Sequence, residues 1–588
     1  MPLRKVRSAG TRFSCYNVGK RSVRMERTEW YKNAVVYQIY PFSFMDANND
    51  GWGDIAGIIS KLDYLKKLGI TAIWFSPLYK SPDYDYGYDI ADYRDIDSKF
   101  GTLDDFKKLL NECHSRGIRV IMDMVLNHTS IEHEWFKAAL KDKDSPYRDY
   151  YIIRDGRKKG KKVYAPTNWD STFTGSAWEQ IKGTDEYYMH LFCVEQADLN
   201  WENEKVRQEC ADIFTYWLDM GVDGFRLDVF NMWSKVYPLK DAKKSVAGTG
   251  EEFYVDGPRM HEFLHELNER AWSKYDCYTV GESYNPHEED TKKYVAKESA
   301  ELDTIFDFGH LTSDNIGGLK FFKKKFDLRE FKKGLFTPQI ENFQTGWNTL
   351  VLENHDNPRS VSRFGIDTAK FRYEAATFLP TITFLGFGTP FIFQGEELGM
   401  TNAVFNTIDD CKDPVSHFIY NLLHHYGVPK KMALNFVRYG ARDHARVPMQ
   451  WNGGVNGGFN TGAKPWQCTN TPENIAEINA EKDLKSDRSV FRYYQKVIAL
   501  KKTERAAVYG KPELFAADDK QIVAFTRTLD DGSGLFVFGN FSNKNAKYAL
   551  CEDLASRTKE EVLSNYDTHI VSGSTYTLRP YEVLVFKY

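Results

Sequence analysis

The chain has 588 residues, of which 42% are hydrophobic, 15% aromatic and 27% charged, with a formal net charge of −4. That length exceeds one ordinary domain and predicts two or three, with apolar residues enough for a large core. Near-balanced charge without a long basic or acidic run argues against a nucleic-acid or anionic-membrane partner, and no long apolar run is present to span a bilayer.

Residues 1–27 are basic but lack the apolar stretch of a secretory signal, so they read as a disordered extension of a chain whose periodic sequence starts just after Met25. AVVYQIY (34–40) then reads as a buried strand. Residues 56–68 place Ile58, Leu62, Leu65 and Leu68 on one helical face, and AIWFS (72–76) is a second strand. Thr102 is a good N-cap for a helix that turns Phe106, Leu109, Leu110 and Cys113 inward and stops at Gly117. RVIMDMVLNH (119–128) is a third strand, and strand–helix alternation of this kind signals parallel βαβ units.

Over 129–195 the alternation breaks into sequence rich in Tyr, Asp, Lys and Gly. It resumes with a helix near 203–219 and strands GFRLDV (224–229), YTVGE (278–282), TIFDF (304–308), TLVLENHD (349–356) and PFIFQGEE (390–397). Eight strands predict an α/β fold, a TIM-type (β/α)8 barrel formed by 28–128 and 196–510, with an inserted domain over 129–195 after strand three. From 511 to 588 the period drops to two, as in QIVAFTRT, GLFVFGNF and YEVLVFKY, which predicts a C-terminal antiparallel β-sandwich. The eight cysteines (15, 113, 193, 210, 277, 411, 468 and 551) show no C-x-x-C or metal-ligand spacing and read as reduced thiols of a cytoplasmic protein.

Chemistry in such a barrel sits at the C-terminal strand ends. Four of those ends carry ionisable groups: Asp123 and His128, Arg226 and Asp228, Glu282, and His355 with Asp356. One charge at a strand end is commonly a cap or an ion pair. Several converging on one mouth point to catalysis, because burying like charges is costly.

D-M-V-L-N-H (123–128), G-F-R-L-D-V (224–229), G-E (281–282) and E-N-H-D (353–356) resemble, in order, the four short conserved regions of the α-amylase superfamily. VYQIYPFSFMDANNDGWGDIAGI (36–58), DYGYDIADY (85–93) and RVPMQW (446–451) are similar to its oligo-1,6-glucosidase and α-glucosidase branch. The resemblance implies a retaining α-glucoside hydrolase with Asp228 as nucleophile, Glu282 as acid/base, and Asp356 stabilising the distorted sugar. It further implies that His128 and His355 bind the sugar, that Arg226 keeps Asp228 ionised, and that Asp85 pairs with Arg446 to close the pocket. Tyr88 would stack on the terminal glucose, and Phe173 and Phe192 would line the entrance. Retention needs two carboxyls about 5–5.5 Å apart, one ionised and one protonated. On this reading Arg226 lowers Asp228, and like-charge repulsion from Asp356 raises Glu282.

In D-A-N-N-D-G-W-G-D, Asp46, Asn48, Asp50 and Asp54 have the spacing of a calcium loop, with the Trp52 carbonyl as a further ligand. Relatives in the branch bind Ca²⁺ or Mg²⁺ there, in a structural role, and no organic cofactor is implied. Val229, next to the nucleophile, goes in this branch with α-1,6 specificity, as on isomaltose or panose, whereas Thr or Ala goes with α-1,4. Asn357 is also seen among sucrose isomerases, but KFFKKKFDLREFKKGL (320–335) does not match their product-directing loop, and no Lys/Arg cluster dedicated to a phosphate stands out. The implied partner is a small oligosaccharide, bound by a monomeric chain.

Overall fold

The computed structural model describes residues 27–173, 175–245, 248–317 and 319–588. The expected N-terminal extension, Met25 included, lies outside the described residues apart from Arg27.

Eight parallel strands build the centre: β1 (Val36–Ile39), β2 (Ala72–Phe75), β3 (Arg119–Met124), β4 (Gly224–Leu227), β5 (Tyr278–Glu282), β6 (Thr304–Phe306), β7 (Thr349–Val351) and β8 (Thr389–Phe393). Their order is β6-β5-β4-β3-β2-β1-β8-β7. The sheet thus curls into a nearly closed barrel, and across the seam Thr349 Oγ1 donates to Ile305 O at 3.1 Å. Strands β1, β2 and β4 are buried at every position. That is why they read as continuous apolar runs rather than alternating ones.

One helix follows each strand: α1 (Ile55–Leu68), α2 (Leu103–Ser115), α3 (Glu204–Met220), α4 (Met260–Arg270), α5 (Glu288–Tyr294), α6 (Leu328–Glu341), α7 (Arg372–Phe384) and α8 (Val490–Thr503). Local signals set the first two. Asp54 accepts from Gly57 N to cap α1, and the chain leaves it at Gly69, whose φ of 106° suits glycine. A capping box between Thr102 and Asp105 starts α2, which buries Phe106, Leu109, Leu110 and Cys113.

The segment inserted after β3 is zipped at its base. Strand His128–Ser130 pairs antiparallel with Gln196–Asp198, placing His128 opposite Asp198. Above this lie a three-stranded sheet, with Glu186–Met189 between Ile153–Asp155 and Trp178–Gln180, and the hairpin 157–164. It also holds a helix, Glu134–Lys141, burying Trp135, Phe136 and Ala139. The sequence shows no clear helical period there because two turns are too short to display one. A second unforeseen excursion runs from β8 to α8. Its helices Pro414–His425, Lys430–Gly440 and Asp443–Arg446 carry Asp413, Arg442 and Arg446 to the barrel mouth.

In the C-terminal sandwich one sheet orders 511–515, 522–528, 534–540, 583–587 and 560–564, and the other orders 546–549, 575–578 and 571–572. Phe538 joins the two, its ring 5.0 Å from Tyr576 and 5.8 Å from Tyr548. Arg527, fully buried, docks the sandwich on the barrel by donating to the carbonyls of Gly510, Leu385, Ala507 and Val508 at 2.9–3.1 Å. Among the described residues no helix is long and apolar enough to cross a membrane. Replacing Arg527 by Met strips those carbonyls of the guanidinium, with Ala507 O keeping only its bond from Lys501 Nζ, and each buried group left unsatisfied costs about 1–3 kcal/mol. The expected outcome is a clearly lower thermal midpoint with little change in turnover at 25 °C. An unchanged midpoint would show that the carbonyls find other partners.

Candidate active site

Strand register delivers the first contact. Arg226 on β4 lies directly across from Asp123 on β3, and Leu227 pairs with Gly281, one residue before Glu282. Side chains two apart on a strand share a face, so Arg226 and Asp228 meet as the sequence predicts. Arg226 Nη1 donates to Asp123 Oδ1 at 2.8 Å and to Asp228 Oδ1 at 2.5 Å, and Nη2 donates to Glu282 Oε2. One guanidinium, 1% exposed, therefore holds carboxylates from three strands. Asp123 is further fixed by Tyr88 OH at 3.0 Å and Trp74 Nε1 at 3.2 Å.

Burial dominates the electrostatics. It pushes Glu282 up to about 8 against the pull of Arg226, with Asp228 and then Asp356 adding like-charge repulsion. Asp228 rises to about 7, again through burial, with Arg226 opposing. The expectation that Arg226 would leave Asp228 low is thereby corrected: burial outweighs the pull of the guanidinium, and Asp123 opposes it further. Burial likewise takes His128 down to about 4 and His355 to about 3, so both imidazoles are neutral near pH 7.

Asp356 behaves differently. It is held well below the usual carboxylate range by His355, Arg442 and Arg446, which overcome its burial. Arg446 Nη2 donates to Asp356 Oδ1 at 2.9 Å, and Arg442 Nη1 reaches the same oxygen at 3.2 Å. Asp85 pairs with Arg442 at 3.3 Å, not with Arg446 as the sequence led us to expect. The two arginines lie four residues apart in a segment outside the barrel strands, so no strand register could tell which one faces Asp85. Arg442 also binds Asp413 at 2.5 Å, and Gln196 Nε2 reaches Asp85 Oδ2 at 3.3 Å.

Aromatic walls complete the pocket. Tyr88 lies parallel to His355 with ring centroids 5.2 Å apart. Phe192 packs 5.2 Å from His128 and edge-on to Phe173 at 5.3 Å, and Arg442 sits 5.1 Å over Phe173. Val229 joins Phe173, Phe192, Met232 and Tyr284 in one apolar cluster. Its φ of 34° is a strained value for a β-branched residue. The turn it makes drives Phe230 against Gly281, where a Cβ would lie 2.4 Å from the Phe230 ring.

The chain's residues 38–510 match the model of the α-amylase catalytic domain, and 522–585 match that of the α-amylase SusG C-terminal domain. The chain belongs to the α-amylase family of glycoside hydrolases. It is 47% identical over 568 residues to the oligo-1,6-glucosidase of Parageobacillus thermoglucosidasius, covering 96% of this chain and 99% of the relative. Among solved structures it is similar to the trehalose-6-phosphate hydrolase of Bacillus licheniformis, at 44% identity and a TM-score of 0.88 over 95% of this chain and 99% of that one. The isomaltulose synthase of Klebsiella sp. LX3 is also similar, at 39% identity and a TM-score of 0.90 over the same shares.

Sequence reasoning missed several residues that this glycoside hydrolase brings to the site. Gln38 donates to His355 Nδ1 at 2.8 Å, and Lys235 forms a buried pair with Asp198 at 2.8 Å. Neither Arg442 nor Asp413 lies on a barrel strand or within one of the motifs, so no sequence pattern marked them. Away from the carboxylates, Asp46 accepts from Asn49 N, Gly51 N and Asn460 Nδ2 at 2.6–2.9 Å, and Asp54 accepts from Ala47 N at 2.8 Å. Asn48 and Asp50 are hydrogen-bonded to each other at 2.9 Å, and Trp52 N donates to Asp50 at 2.9 Å. Gly51 is required here, since a Cβ would fall 2.4 Å from Lys464 O.

The roles that the resemblance implies, Asp228 as nucleophile and Glu282 as acid/base, need Asp228 ionised and Glu282 protonated. The expected kcat/KM profile therefore declines above about pH 8, as Glu282 loses its proton, and below about pH 7, as Asp228 gains one. On an activated aryl glucoside, whose departure needs no acid, Glu282→Gln flattens the alkaline limb. An alkaline limb that begins below pH 6 contradicts this assignment.

Proposed function

We propose that this enzyme is a retaining, exo-acting α-glucosidase that cleaves α-1,6 bonds at the non-reducing end of short oligosaccharides such as isomaltose, isomalto-oligosaccharides and panose, releasing glucose. The observation that carries the reading is the binding of both Asp228 and Glu282 by the single Arg226 guanidinium. Two carboxyls held on one guanidinium suit the close pair of a retaining enzyme, whereas an inverting enzyme spaces its carboxyls about 6.5–9.5 Å apart to admit a water. Asp228 attacks the anomeric carbon while Glu282 protonates the departing oxygen. Glu282 then takes a proton from the water that releases glucose from the covalent intermediate. Asp356, ionised between Arg442, Arg446 and His355, accepts hydrogen bonds from the sugar hydroxyls, and Tyr88 offers a ring to the glucose face. The Asp85–Arg442 pair closes the pocket behind the terminal sugar, which suits removal of one residue at a time.

Two features favour the α-1,6 linkage. Val229 presents a branched apolar side chain beside the nucleophile, and a 47% identical relative is named for oligo-1,6-glucosidase activity. A second reading, hydrolysis of trehalose 6-phosphate, draws on Lys320, whose amino group lies near Arg442, Asp413 and Asp356 and is lowered by burial to about 8. A cation at the mouth suits a phosphorylated leaving group.

Initial rates on isomaltose, maltose, sucrose and trehalose 6-phosphate decide between these readings. We expect isomaltose to be the fastest, and Val229→Thr to move the isomaltose-to-maltose ratio by about tenfold or more toward maltose, the scale of a small side-chain change in a pocket. A parent enzyme faster on maltose sinks the linkage assignment, and one fastest on the phosphorylated sugar replaces it with the second reading.

The set Asp46, Asn48, Asp50, Asp54 and the Trp52 carbonyl is all oxygen, with three carboxylates on one turn, and that fits a hard cation. We read it as a structural Ca²⁺ loop, distinct from the catalytic carboxylates. Chelation is expected to lower the thermal midpoint, with recovery on adding Ca²⁺ and unchanged kcat at 25 °C. A midpoint indifferent to chelator counts against it. Seven cysteines among the described residues carry free thiols, which supports a reducing, cytoplasmic location.

A further inference from the structure

A second ligand set lies behind the loops that carry the nucleophile and the acid/base. Asp256 sits in the segment after β4, and His287 and Asp290 stand at the start of α5, five and eight residues beyond Glu282. One ligand atom from each of the three lies within 4.8 Å of the other two. His287 Nδ1 is 3.4 Å from Asp256 Oδ2 and 3.5 Å from Asp290 Oδ2. A direct charge-assisted hydrogen bond would close to about 2.7–2.9 Å. Separations near 3.4 Å are instead the edge length of a tetrahedron whose centre lies about 2.0–2.2 Å from each ligand atom.

The other oxygen of each carboxylate, Oδ1, is already committed, and Asp256 Oδ2 is steered as well. Asp256 Oδ1 accepts from Tyr294 OH at 2.7 Å and from Asn231 Nδ2 at 3.0 Å. Its Oδ2 accepts the backbone N–H of His287 at 2.7 Å. Asp290 Oδ1 accepts from Lys293 Nζ at 2.8 Å and lies 3.5 Å from His261 Nε2, and His261 Nδ1 is anchored on Glu301 at 2.9 Å. Partners on the far side thus turn one oxygen of each carboxylate toward a single imidazole nitrogen, the orientation that outer-shell hydrogen bonds give to metal ligands. The Asp256 side chain is 1% exposed and that of His287 59%, so the set is anchored at its base and open to solvent above.

We propose that Asp256, His287 and Asp290 bind one borderline divalent transition-metal ion of the zinc class, with solvent completing its coordination. One imidazole and two carboxylates select that class over Ca²⁺ and Mg²⁺, which take oxygen alone. The ion would also clamp the two catalytic loops together. Asn231, three residues after Asp228, donates Nδ2 to both Asp256 Oδ1 and Tyr284 O, and its Oδ1 accepts Tyr284 N at 2.8 Å.

The test uses the full chain, stripped of transition metals on a chelating resin and kept in excess Ca²⁺ so that the loop at 46–54 does not report. Zn²⁺ is titrated by calorimetry, and Co²⁺ is followed through its visible d–d bands. The expected result is one Zn²⁺ per chain, a Co²⁺ spectrum characteristic of mixed nitrogen and oxygen ligation, and a thermal midpoint raised by Zn²⁺. His287→Ala should weaken Zn²⁺ by about tenfold or more, lose the Co²⁺ bands and the Zn²⁺-dependent rise, and keep the parent's hydrolytic rate without Zn²⁺. Asp290→Asn should weaken Zn²⁺ in the same direction. Equal Zn²⁺ affinity in the parent and both variants, or no uptake by the parent at sub-millimolar Zn²⁺, overturns the proposal.

Discussion

Arg226 is the contact on which the site depends. A buried guanidinium is expensive to desolvate unless its charge is matched, and here three carboxylates from β3, β4 and β5 match it more than once over. Burial in the barrel mouth, with like-charge repulsion added to it, is what lifts Asp228 and Glu282 toward neutral pH against the pull of the guanidinium. Without the guanidinium the three acids would repel one another out of position. With it they stay packed, and Glu282, raised further than Asp228, holds its proton near neutral pH.

Asp356 belongs to a second electrostatic compartment. Two arginines, Arg442 and Arg446, face Asp85, Asp356 and Asp413, so the ratio of cation to anion is higher than around Arg226. Asp356 consequently stays ionised while Glu282 does not. Carboxyls in one pocket thus acquire opposite protonation states from the balance of burial against neighbouring charge, which is the division of labour that glycoside hydrolysis requires.

Both compartments rest on segments that leave the barrel. The inserted segment returns through the pairing of His128 with Asp198 and so brings Gln196 against Asp85. The excursion between β8 and α8 folds over the mouth and supplies the arginines. Backbone strain at Val229 is localised just past the end of β4, and the strand ladder on one side and the cluster with Phe173 and Phe192 on the other hold it in place.

The barrel strands were legible because buried parallel strands are continuous apolar runs, and the helices because caps such as Thr102 and stops such as Gly69 are local. Side chains two apart on one strand share a face, so the meeting of Arg226 with Asp228 could be read directly. The partner of Asp85 could not: choosing Arg442 over Arg446 depends on how a helical excursion outside the barrel strands settles on the mouth. Nor could the sequence give the protonation order, because burial, the largest cause of both raised carboxyls, is a property of the assembled barrel. What the sequence determined by itself is therefore the set of groups and the strands that carry them, since both follow from short-range pattern. Which cation faces which anion, and how far from water, was decided only when distant segments packed together.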